Sequence, residues 1–266
     1  MQVLSQYASA SGLSSNGPLT GMTRTITDIH SSTFRLTFLF STPEFAKGLT
    51  LAAALPYVRK RVSSQIGAQQ LDLRPEGISD ILLYARYPFF KRASFGSAFQ
   101  IAGIGGLKLP TGATDLTDRK YGVQISPPLQ PGSGSVDYLL GLTTSRGFRR
   151  FSLFFESTYR FTTEGDADYR RGNLFSYRMS TRFRLFAPLS VLGEISGELA
   201  RQDALKGKPV LSAGGHTTFA GVGLDVGLRG VGNLLFLFQR PIFQRLDGVQ
   251  VEMDYSLLFS GAFYLR

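Results

Sequence analysis

The stretch from Asn173 to Leu199 constrains the fold more than any other part of this chain. In its first half Phe175, Tyr177, Met179, Phe183 and Leu185 alternate with Ser176, Arg178, Ser180, Arg182 and Arg184. In its second half Val191, Ile195 and Leu199 fall on one face, and Glu194, Ser196 and Glu198 on the other. Side chains change face at every residue of a strand, so this period of two gives two strands, each with one charge-free and one charged face. Ala187-Pro188 joins them as a hairpin.

The same rhythm runs through most of the 266 residues. Phe34, Leu36, Phe38 and Phe40 alternate with Arg35 and Thr37, and Leu49 to Arg61, Ile78 to Pro88, Phe95 to Leu109 and Ser135 to Ser145 repeat the pattern. So do Phe151 to Thr162, Thr217 to Leu228, Leu234 to Phe243 and Val249 to Leu265. Residues 2–11 add a weaker candidate. Pro56 marks a bulge or a strand end, since proline donates no ladder hydrogen bond. Tight turns at 42–47, 89–94, 145–149, 187–188 and 230–233 alternate with longer polar connections, among them 62–76 and, longest, 111–133. No linker divides the chain, so residues 1–266 read as one domain.

A soluble β-protein would turn the aromatic faces inward, and a membrane barrel would turn them out. The charge-free faces are long enough to fill a lipid band of roughly 25 Å. The opposite faces carry Ser, Thr, Gly and Ala with sparse Arg, Glu and Asp and almost no Lys, unlike a lysine-rich soluble surface. Short turns at one rim and long loops at the other complete the pattern of an outer-membrane barrel. Parity then fixes the count. With tight turns on the periplasmic side, the last strand and the strand ending at Ser41 run the same way, so antiparallel closure needs a strand before residue 14. Lipid offers no hydrogen bonds, and an unpaired edge there costs several kcal/mol per group. The expectation is all-β: a closed antiparallel transmembrane β-barrel of twelve strands, in the outer membrane of a Gram-negative bacterium, with 2–11 as first strand and 111–133 as a long extracellular loop. No window holds 18 uncharged apolar residues, so no transmembrane helix is expected. Met1 to Tyr7 has no basic or apolar leader character, and export implies a leader outside this numbering.

The formal charge of +10 favours anionic surroundings. The arginines are spread along strands, with no helix-turn-helix, zinc-finger spacing or basic tail, so nucleic acid is not an expected partner. Outer-membrane lipid and lipopolysaccharide are, with Arg59, Lys60, Arg61 and Arg74 facing the phosphates, and a small-molecule solute in the lumen. There is no cysteine and there are two histidines, so no metal site or cofactor is expected. His30 precedes Ser31-Ser32 and His216 precedes Thr217-Thr218, yet neither neighbourhood offers a nucleophile, a base and a group orienting that base. Glu194 and Glu198 lie roughly 13 Å apart along a strand, too far for glycosidase chemistry. Enzymatic activity is therefore not expected.

By phase, the lumen receives Arg35, Asp80, Arg86, Asp137, Glu156, Arg160, Arg178, Arg182, Arg184, Glu194, Glu198, Asp225, Glu252 and Asp254 as pore-lining residues. Arginines dominate residues 160–184 and acids 194–254, which sets a field across the pore. Two readings stay open: charged walls that select a solute, and a salt-bridge network that holds the barrel rigid.

Five motifs carry a resemblance. They are Leu55-Pro56-Tyr57-Val58, Gly77-Ile78-Ser79-Asp80, Leu109-Pro110-Thr111-Gly112, the run Leu129-Gln130-Pro131-Gly132-Ser133-Gly134-Ser135-Val136-Asp137-Tyr138, and Phe175-Ser176-Tyr177-Arg178. Together they make residues from about 45 to the end resemble the bacterial outer-membrane family labelled for the meta-pathway of phenol degradation. The resemblance implies a β-barrel transporter and uptake of small hydrophobic or aromatic compounds. The chain departs from many bacterial barrels at its end, Phe263-Tyr264-Leu265-Arg266, where an aromatic residue often stands last. The expected function is passive uptake of small solutes through an outer-membrane channel. The alternative is a structural barrel that docks or sheathes an electron-carrying or fibre-forming protein at its rim.

Overall fold

The computed structural model of the chain describes residues 1–15, 25–41, 48–66, 69–118 and 120–263. Twelve long strands form it: β1 (Gln2–Ser15), β2 (Thr25–Ser41), β3 (Thr50–Ile66), β4 (Ile81–Ser94), β5 (Ser97–Leu109) and β6 (Asp137–Phe148), then β7 (Phe151–Phe161), β8 (Leu174–Phe186), β9 (Leu189–Ala200), β10 (Gly215–Leu228), β11 (Gly232–Leu246) and β12 (Val249–Phe263). Each pairs antiparallel with its neighbours in sequence, and β1 pairs with β12 from Gln2↔Ala262 to Ser15↔Val249. The sheet therefore closes on itself and leaves no edge for lipid to meet. The first strand demanded by parity is present, and it extends to Ser15. On the inner side of the closing seam Gln2 and Gln6 donate to Ser260 and Ser256, each at 3.1 Å.

Several boundaries differ from the sequence reading. Most of the described residues of 62–76 are strand rather than loop. β3 runs on to Ile66, and Gln69–Leu73 and Glu76–Ile78 fold back along it, pairing with residues 62–66 and 57–59. Pro56 sits inside β3, where the partner on that edge changes: β4 pairs only as far as Ala54 and the returning segment begins at Tyr57. A residue without an N–H falls where the ladder is handed over, while its carbonyl still accepts from the Ser79 amide at 2.9 Å. The basic stretch 89–93 is strand rather than turn. Phe89 is bulged out of register and the chain reverses at Phe95-Gly96, with Gly96 at φ 73°. The turn at 42–47 and the terminal residues 264–266 lie outside the described residues.

The exposed face is apolar on every side of the ring. Leu140 is 58 % exposed, Met179 56 % and Val222 66 %, values that only a lipid-facing surface tolerates in such number. Aromatic rings gather toward both rims, as they do at membrane interfaces. At the long-loop rim Tyr159 packs on Phe161 at 4.5 Å, while Tyr7 on His30 and Phe238 on Tyr255 pack nearer the middle of their strands. At the short-turn rim Phe151 meets Phe183 at 4.9 Å and Phe90 meets Phe99. Arg240 shares the outward phase of Phe236 and Phe238 and is exposed, a departure from the charge-free rule.

Candidate functional site

Period two puts the other half of each strand on the inner wall, and the contacts agree. β2 and β8 stand diametrically opposed in the ring. Nevertheless Arg35 on β2 interacts electrostatically with Arg178 on β8, with Glu156 on β7 and with Tyr84 on β4. Such groups reach one another only through the lumen. Midway along the barrel, then, strands β2, β4, β7, β8 and β9 converge their charged side chains on one level.

Two ion pairs line this wall, Arg178–Glu194 at this level and Arg182–Asp225 nearer the short-turn rim, where Asp225 lies opposite Ser190. Arg178 Nε lies 3.3 Å from Glu194 Oε1, and Arg182 Nη2 lies 2.6 Å from Asp225 Oδ2. Gln239 on β11 donates to Glu194 at 3.1 Å and to Ser196 at 2.9 Å. In both pairs the acidic side chain is 6 % exposed and the arginine side chain 47 %. Arg178 and Arg182 thus cover Glu194 and Asp225, so the field across the pore is partly neutralised and at these two pairs the face left to the lumen is cationic. Arg86 is held by neutral partners, donating to Thr143 at 3.2 Å and Gln100 at 2.8 Å. Arg35 Nε is buried with no hydrogen-bond partner.

The remaining charged residues fall elsewhere. Asp254 accepts from Ser9 at 3.2 Å and Ser11 at 2.8 Å, on the closing seam. Arg160 lies opposite Leu174 and Leu139, and Glu252 is half-buried on β12. Arg184 is exposed opposite Ser190 near the short-turn rim, and Glu198 is exposed between Ser176 and Thr217 near the other. Asp80 and Asp137 do not stand open to the pore. They clasp Lys108 at 2.9 and 3.1 Å, all three side chains at or below 9 % exposure.

That cluster anchors the long connection between β5 and β6. Asp80 accepts from the amides of Gly112 and Ser133, both at 3.0 Å, and Asp137 accepts from Ser135 Oγ at 2.9 Å. Lys108 also donates to Ser133 Oγ and to the Ser135 carbonyl. Between these anchors the segment turns inward. Leu129, in a short 3₁₀ turn (Pro127–Leu129), packs with Ile125 against Val62, Leu73 and Ile29 on the inner face of β2 and β3 and their return strand. Gln130, 2 % exposed, holds the backbone at Leu116 and Ile125, and Lys60 reaches the Pro128 and Leu129 carbonyls at 3.3 Å. The mouth of the barrel is lined by this built segment. Lys60 is therefore turned inward, away from the lipid head groups. Its neighbours Arg59 and Arg61 face outward, paired with Glu76 and Asp72, and Arg74 shares Asp72.

An apolar patch on the inner wall escaped sequence reasoning. Leu192, Leu237 and Leu258 pack together with Leu4 and Leu235, on the short-turn side of the Glu194–Gln239 contact. Phe154 shares the inward phase of Glu156. The signal was present, since each leucine lies two residues from an inward polar group, as Leu192 does from Glu194. Beside this patch opens a cavity of about 840 Å³, bordered by Lys91, Phe154, Arg178, Arg182, Leu192 and Leu235. The histidines lie on the outer surface. His30 meets the Tyr7 hydroxyl at 3.1 Å, and His216 meets Tyr177 Oη at 3.1 Å and Thr218 Oγ1 at 3.0 Å.

Residues 13–229 match the model of a protein family described as "Putative MetA-pathway of phenol degradation". The chain belongs to this family. The phenol-degradation family match covers β2 to β10 and only the end of β1, from Leu13 to Ser15, and it includes both ion pairs and the inward-turned segment. No curated protein sequence matches the chain. Among solved structures, an outer membrane channel from Pseudomonas putida F1 superposes with a TM-score of 0.72 at 14% identity, covering 99% of this chain and 94% of that one. The β domain of the Bordetella autotransporter BrkA superposes at 0.50 with 9% identity, covering 98% of each chain. At these identities the likeness is one of fold. A closed antiparallel barrel with an apolar outer band is the β architecture that crosses a membrane, and the chain is an outer-membrane barrel of a Gram-negative bacterium.

Proposed function

We propose that the chain is an outer-membrane channel through which small, largely apolar solutes pass down their gradients. The observation that carries this reading is the cavity of about 840 Å³ on the inner wall, where a leucine patch faces half-exposed arginines. Sites for small molecules combine apolar walls with a few placed polar groups. The family's link to phenol degradation supports small aromatic compounds as the class of solute. Residues Arg35, Arg86, Glu156, Arg178, Arg182, Glu194 and Asp225 would form the wall the solute passes. Asp80, Lys108 and Asp137 would hold the mouth in shape.

No reaction is part of this reading, because each histidine is engaged by a tyrosine hydroxyl on the outward face. A sheath for a folded partner gains no support from the comparisons, and the inner wall is occupied by the chain's own leucines and its inward-turned segment. Arg59, Arg61 and Arg74 would meet lipopolysaccharide phosphates at the outer surface.

Liposomes carrying the full chain test the proposal by osmotic swelling. Swelling in a small sugar well above that of empty liposomes is the expected result. Swelling no faster than protein-free liposomes would overturn it.

A further inference from the structure

We infer that the solutes this channel favours are small organic anions with an apolar body, such as aromatic carboxylates, rather than neutral hydrocarbons. The inference rests on the channel reading above and names its substrate class.

Four observations lead there. The first is an asymmetry of exposure. Glu194 and Asp225 sit behind their arginines, 6 % exposed, while Arg178 and Arg182 present 47 % of their side chains to the lumen. The pairs are neutral by count but positive toward a passing solute. The second is spare hydrogen-bonding capacity. A guanidinium has five donors; Arg178 approaches Glu194 through Nε and Arg182 approaches Asp225 through Nη2, which leaves a fork on each for a carboxylate. The third is Lys91 on β4, which shares the inner phase of Gln100 across β5 and borders the same cavity. The fourth is what faces these cations: Phe154, Leu192 and Leu235, the last two part of a five-leucine patch.

Each simpler solute uses only half of this wall. A hydrocarbon gains the leucines but displaces water from the guanidinium groups without replacing its hydrogen bonds. An inorganic anion gains the arginines and leaves the leucines wet. An aromatic ring bearing a carboxylate satisfies both at once, and 840 Å³ is ample for it.

Reversal potentials in planar bilayers, with permanently charged probes, decide the matter. Benzenesulfonate stands for the aromatic anion, methanesulfonate for an anion without a ring, and benzyltrimethylammonium for an aromatic cation. The wild-type channel is expected to pass benzenesulfonate on the order of tenfold better than benzyltrimethylammonium, and severalfold better than size alone allows against methanesulfonate. The fourfold variant R178Q/E194Q/R182Q/D225N keeps the net charge of the wild type and leaves no buried carboxylate unpaired. It should bring the anion-to-cation ratio to about one, whereas R178K/R182K should keep it. Equal passage of both aromatic ions in the wild type, or a preference that survives the fourfold variant, would overturn the anion inference while leaving the channel. Passage of no ion at all would overturn the channel reading and this inference with it.

Discussion

Lys108 shows what a single residue holds in this barrel. Its ammonium is enclosed by Asp80, Asp137, Ser133 and Ser135, with no more than 9 % of the side chain exposed. Taking one partner out of such a buried cluster leaves the others uncompensated, at about 3–5 kcal/mol. Lys108→Met should lower the unfolding midpoint of the detergent-folded barrel accordingly in a denaturant titration, and an unchanged midpoint would contradict the account. Asp80 adds a pH dependence. Burial acts to raise its carboxyl, but hydrogen bonds from Ser133 and Lys108, the Gly112 amide and the Lys108 charge outweigh that and hold it below the ordinary carboxylate range. A carboxyl depressed in the folded state contributes stability that is present above its unfolded value of about 4 and is lost as pH falls through the lower folded value. Amide exchange at Gly112 and Ser133, corrected for intrinsic rates, should therefore be protected at neutral pH and lose protection below about pH 4. In Asp80→Asn the protection should be weak at every pH. Asp80 and Asp137 were legible in the sequence as inward-phase acids. Their partner was not, because Lys108 stands 28 residues from Asp80 and only strand register brings the two together.

At the scale of elements, alternation carried most of the information. The outward aromatic and leucine faces of β6 to β10 follow directly from period two, and Met179, between Phe155 on β7 and Ile195 on β9, is exposed as its phase demands. Met179→Arg places a charge in the lipid band and should cost roughly 2–4 kcal/mol near the midplane. Refolding yield into vesicles, read by the gel-mobility shift of folded barrels, measures it, and wild-type yield would mean that the face is not in lipid. What alternation could not give was the hand-over of pairing along β3. Residues 62–76 are polar and irregular in pattern, so they resemble a loop. Residues 62–66 and Gln69–Leu73 pair as strand because the edge beyond Ala54 would otherwise have unpaired N–H and C=O groups. Nor could it reveal that 110–136 turns inward, since Ile125 and Leu129 are scattered apolar residues in a Pro- and Gly-rich stretch. Their packing surface, Val62 and Leu73, is created by the same return strand. The leucine patch was readable in principle, but charged residues drew the inward phase and left Leu192 and Leu237 out of it.

For the molecule as a whole, closure decides the rest. The seam between β1 and β12 makes the ring complete, and a ring of this kind has one lipid-facing and one enclosed surface. The enclosed surface here combines half-exposed arginines, buried carboxylates and an apolar wall. A barrel that served only as a scaffold would need none of that asymmetry, and a salt-bridge network alone does not explain why Arg178 and Arg182 stay open to the lumen. Single-channel current across a planar bilayer tests this central claim most directly. The account predicts discrete conductance steps in symmetric potassium chloride, with a reversal potential in a salt gradient that marks the pore as anion-selective. A folded, inserted barrel that passes no current under any voltage would contradict it.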